Sequence, residues 1–98
     1  MDIIFRQQIN NLIALYEKKN YKETAKFALQ LIKKFPKQPF PWKMLGIVLK
    51  KSGKLKEALV PMQKSIQLAP QDFECHNNLG ITLKELGRLE EAEKSFKQ

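Results

Sequence analysis

The chain has 98 residues, 43% of them hydrophobic and 29% charged, which suits one small folded domain and excludes a disordered or collagen-like chain. No apolar run approaches the roughly 18 residues of a membrane span, the first residues lack the basic-then-apolar order of a secretory leader, and the lone cysteine, Cys75, excludes an intrachain disulfide or a cysteine zinc cluster. The net charge is +8, and it is uneven: residues 1–64 hold 14 Lys/Arg against four acids, whereas residues 65–98 hold four against six.

Apolar residues recur at three- and four-residue steps, which predicts helices over 3–18, 21–34, 40–51, 55–68, 73–85 and 89–98. Helix 40–51 carries Trp42, Leu45, Gly46 and Leu49 on one stripe. Helix 55–68 carries Leu55, Ala58, Leu59, Met62, Ser65 and Ile66, with Pro61 expected to kink it. Gly53 and Gly87 follow the first helix of their pairs, where a left-handed cap suits glycine. Pro36 and Pro70 stand where a second helix must stop. The small residues Gly46, Ala58, Gly80 and Ala92 are expected to let paired helices approach closely.

The helices come in pairs with a period of 34 residues. At that offset Leu45-Gly46 matches Leu79-Gly80, Gly53 matches Gly87, Leu55 matches Leu89, and Glu57-Ala58 matches Glu91-Ala92. Going backwards, Pro36 matches Pro70, Ile13 matches Ile47 and Glu23 matches Glu57, although Lys19 stands where the glycine stands later. The units are 5–38, 39–72 and 73–98, the last being short.

A unit with Trp42, Leu45, Gly46, Leu49, Ala58, Met62, Ser65 and Pro70 at its fourth, seventh, eighth, eleventh, twentieth, twenty-fourth, twenty-seventh and thirty-second places resembles the tetratricopeptide repeat. The resemblance implies an all-α, tetratricopeptide-type α-α superhelix, a solenoid of three helix-turn-helix repeats, whose first helices line a concave groove that holds a peptide. The groove residues it implies are Arg6, Ile9, Ile13 and Tyr16 in the first unit, Lys43, Ile47 and Lys50 in the second, and Asn77, Asn78, Ile81 and Lys84 in the third. Glu17, Phe40, Lys51, Glu74 and Glu85 stand at the same register. An isoleucine ladder of Ile13, Ile47 and Ile81 beside a basic edge of Lys43, Lys50 and Lys84 would suit a protein or peptide partner with apolar anchors and acidic residues. The residues with which some members clamp a chaperone's C-terminal carboxylate are replaced here by Ile9, Ile13, Met44, Glu74 and Asn78, which argues against that ligand. The stretch from Phe35 onward is also similar to the repeats that precede catalytic domains in bacterial proteins like O-linked N-acetylglucosamine transferases and repeat-containing sulfotransferases. That likeness implies a non-catalytic, substrate-recruiting arm.

Catalysis within the chain is not expected. Adjacent Cys75 and His76 point about 100° apart on a helix and lack an orienting third group, the glycines do not form a phosphate loop, and no metal or cofactor ligand set is present. Nucleic-acid binding has only the positive charge in its favour. The expectation is a cytoplasmic protein-interaction module without cofactor or membrane. Self-association is expected through a third unit whose Leu83, Leu86, Leu89, Ala92 and Phe96 are less covered than their counterparts in the second.

Overall fold

The computed structural model describes residues 3–97, with side chains described for 3–90. It consists of α1 (Ile3–Glu17), α2 (Tyr21–Lys34), α3 (Pro39–Lys51), α4 (Leu55–Leu68) and α5 (Phe73–Lys97). None of these helices is long and apolar enough to cross a membrane.

Each helix buries one stripe. In α2 the buried residues are Thr24, Ala28, Leu31 and Ile32, and in α4 they are Ala58, Pro61, Met62 and Ser65, both at helical spacing. The main core gathers Leu12, Ala28, Leu31, Ile32, Met44, Leu45 and Val48 from the first three helices, with Ile9, Ile13 and Tyr16 packed against its edge. Helix α4 runs unbroken through Pro61. The proline costs it the hydrogen bond to the Glu57 carbonyl, and Glu57 is exposed to water.

The repeat is visible in the turns as well as the helices. After α3, Gly53 has φ 80°, its N–H donates to the Lys50 carbonyl (3.0 Å) and the Lys54 N–H donates to Leu49 (2.9 Å), a Schellman closure. After α1, Lys19 has φ 61°, its N–H donates to Tyr16 (2.9 Å) and Asn20 donates to Leu15 (3.2 Å), so a lysine takes the glycine's conformation. Between units, Trp42 Nε1–H donates to the Pro36 carbonyl (2.9 Å), and 34 residues on, His76 Nε2 bonds the Pro70 carbonyl at 2.8 Å.

The third hairpin does not form. Helix α5 continues through Gly87 in helical conformation, so the expected cap there, and the separate helix at 89–98, are corrected to one helix. Closing the turn would sacrifice helical hydrogen bonds. In the second unit that loss is offset because α4 packs between α3 on one side and α5 on the other. The residues after Gly87 are mostly Leu, Glu, Ala and Lys, all good helix formers, which favours continuing the helix. The corresponding close approach is also missing. A Cβ on Gly46 would lie 2.8 Å from Met62 Cγ, whereas one on Gly80 would meet nothing within 4 Å. Leu83 and Leu89 are 50% and 56% exposed, but Leu86 is buried, contrary to expectation. It faces a hollow shared with Leu55 and the α3–α4 turn. The side chains of Ala92 and Phe96 lie outside the described residues.

A radius of gyration of 14.8 Å and extents of 56 × 28 × 20 Å give an elongated body, above the ~12.6 Å expected of a sphere-like domain of this length.

Candidate peptide groove between the first helices

The face that α1, α3 and α5 share carries a concavity of about 590 Å³ lined by Tyr16, Ile47, Lys50, Lys51, Glu74, Asn78 and Glu85. Its size is in the roughly 300–1,000 Å³ range of clefts that hold ligands. Of the groove residues expected from sequence, Tyr16, Ile47, Lys50 and Asn78 come together here. Ile9 and Ile13 are half-buried against the core and Ile81 is 40% exposed, and of the isoleucines Ile47 lines the concavity. Arg6, Asn77 and Lys84 are exposed and stand outside the concavity.

The basic edge needs a larger correction. Lys43 Nζ lies 2.8 Å from Asp72 Oδ2 and 3.1 Å from Glu74 Oε1, so its charge is met within the protein. Burial pulls the Lys43 pKa down, but the hydrogen bonds to Asp72 and Glu74 outweigh it and hold the ammonium above its ordinary value. Asp72 is held below the usual carboxylate range, chiefly by the hydrogen bond from Lys43. Asp72 also accepts from the Cys75 N–H at 3.3 Å, which caps α5 at its third residue. Sequence reasoning passed over Asp72; its place just before an apolar run was the available signal.

The walls that remain differ in sign. Helix α3 contributes Lys50 and Lys51, with the Lys51 ammonium 6.0 Å from the centre of the Tyr16 ring. Tyr16 is steadied by Tyr21 at a centroid distance of 5.8 Å. Helix α5 contributes Glu74 and Glu85, and Asn78 stands between them. The Asn78 carbonyl accepts from Thr82 Oγ1 at 2.7 Å, and that buried hydroxyl also reaches Met62 Sδ at 3.7 Å, tying α5 to α4 beneath the groove.

Cys75 takes no part in the surface. It is 3% exposed and its Sγ lies 3.2 Å from Ser65 Oγ. Burial raises its thiol pKa, which opposes nucleophilic use.

The tetratricopeptide repeat pattern matches residues 62–94, from the middle of α4 through most of α5. Among solved structures, the chain is similar to a MamA RS-1 double mutant, at 20% identity with a TM-score of 0.80 over 94% of this chain and 52% of that one. MamA from Desulfovibrio magneticus RS-1 gives 18% identity and 0.80 over the same shares. The fold is that of a tetratricopeptide-type helical repeat. The chain spans about half the length of the MamA structures it matches. A Naa15/Naa10 complex bound to HypK is similar at 28% identity and a TM-score of 0.67, over 95% of this chain and 14% of that one. No curated protein matches.

Proposed function

We propose that the chain is a protein-interaction module that holds a peptide segment of a partner in the concavity between α3 and α5. The observation that carries this reading is the concavity of about 590 Å³, with an apolar side chain, Ile47, among charged and amide-bearing neighbours. Such a surface offers an anchor site, backbone hydrogen bonding through Asn78 and charge complementarity around it. The similar Naa15/Naa10 structure is itself bound to a protein, HypK, which is consistent with the reading. No observation described above favours the transferase-arm alternative.

A displayed library of random peptides tests the proposal. Peptides selected on the parent are expected to lose binding to Ile47→Glu by more than about tenfold, a loss of roughly 1.4 kcal/mol, and to keep it on Val60→Glu, where the residue is exposed on α4. Equal binding to both variants would overturn the reading.

Exposed leucines on α5 support a second role, self-association. Leu83 and Leu89 are 50% and 56% exposed on the two flanks of the stripe that the helix buries at Thr82 and Leu86, and a second copy would remove them from water. Light scattering is expected to show mass rising with concentration for the parent and a constant monomer for Leu83→Lys with Leu89→Lys. A monomer at every concentration for the parent would contradict it.

A further inference from the structure

We infer that the groove is built for a segment of mixed charge: an apolar residue over Ile47, an acidic side chain toward Lys50 and Lys51, and a basic one toward Glu85. The inference rests on the peptide-groove reading and narrows the class of partner.

Its basis is a pattern of used and unused charge. Opposite signs line one concavity, lysines on the α3 wall and glutamates on the α5 wall. Glu74 is engaged by Lys43 at 3.1 Å. Among the described residues, Lys50, Lys51 and Glu85 have no ion-pair partner, although they share the same hollow. Lys50 and Glu85 are both half-buried. Charges in that position are screened less than fully exposed ones, so an incoming group of opposite sign gains more from meeting them.

The same arrangement rejects the simpler partners. The net charge of +8 draws acidic chains to the molecule as a whole. Inside the groove, however, a segment acidic along its length would set one carboxylate against Glu85, and a wholly basic one would set a cation against Lys50 and Lys51. Repulsion of this kind sets specificity as much as attraction does. Asn78, between the charged ends, carries both a donor and an acceptor and serves either direction of a peptide backbone. The distinguishing property is therefore the pairing of signs around an apolar residue.

Fluorescence anisotropy at low salt tests this with five sets of labelled peptides. Each has one leucine in a Gly/Ser background, flanked by acid and base, by base and acid, by two acids, by two bases, or by no charge. The parent is expected to bind a mixed set about tenfold more tightly than the all-acidic set. Lys50→Glu should move the preference to the all-basic set and Glu85→Lys to the all-acidic set, and the double reversal should return it to a mixed set. Circular dichroism checks that each variant keeps its helix content. If the parent ranks the all-acidic set first and Glu85→Lys leaves that ranking unchanged, the mixed-charge inference fails. The groove reading then survives provided Ile47→Glu and the milder Ile47→Gln both weaken binding. If neither Ile47 variant weakens binding, or no set binds the parent, both fail.

Discussion

Lys19 holds φ 61° in the turn that Gly53 makes 34 residues later with φ 80°. A left-handed conformation costs a residue with a Cβ roughly 1–2 kcal/mol, and glycine gives back part of that advantage as unfolded-chain entropy. Lys19→Gly is accordingly expected to stabilise the protein by about 0.5–1 kcal/mol, read as a higher urea midpoint at unchanged slope; a lower midpoint would contradict the turn geometry. Asp72 acts at the same scale with the opposite sign. It caps α5 and receives the Lys43 ammonium, so Asp72→Ala should cost about 1–2 kcal/mol, most of it from the cap. Asp72 has a lowered folded pKa, so its contribution is present above the unfolded value near ~4 and is lost as pH falls through the lower folded value. Lys43 has a raised folded pKa, so its contribution is present below the unfolded value near ~10.4 and is lost as pH rises through the folded one. The stability gap between the parent and Asp72→Asn should therefore be flat from about pH 5 to 9 and narrow in acid. A gap that widens below about pH 4 would rule out the charged pair.

Helices show what a local pattern carries and where it stops. Gly46 and Gly80 occupy the same place in successive units, yet only Gly46 has a neighbouring helix at van der Waals distance. Gly46→Val should destabilise by about 1–3 kcal/mol through overpacking against Met62. Gly80→Ala, in the open middle of α5, should stabilise by about 0.5–1 kcal/mol; thermal unfolding of the two variants distinguishes the signs. Helices α1 to α4 were legible to within a residue at each end, because their stripes and their caps at Gly53, Pro36 and Pro70 are local signals. The fate of α5 was not legible, because a glycine at the repeat's cap position permits a turn without enforcing one, and Gly87 stays helical. The groove was legible to the same degree. Helical register brought Tyr16, Ile47, Lys50 and Asn78 onto one face, but the register of the helices says nothing of Asp72, a loop residue at the last place of the second unit, and so it gave Lys43 to the groove when Asp72 and Glu74 hold it.

At the scale of the molecule, two and a half helical pairs make a body 56 Å long with a concavity on the face of its first helices. The Lys43 pairs and the Thr82–Met62 contact fix α5 against α3 and α4, so the two walls that bear opposite charge are held in register by interactions outside the concavity itself. On the proposed reading, a groove pre-formed by these contacts would avoid part of the ordering cost of binding. The most direct test of the account is a titration of isotopically labelled protein with a library-selected peptide, followed by amide chemical shifts. The account predicts that the largest changes fall at Tyr16, Ile47, Lys50, Asn78 and Glu85, with α2 unaffected. Changes concentrated on α2 or on Leu83 and Leu89, with those five residues unmoved, would contradict it.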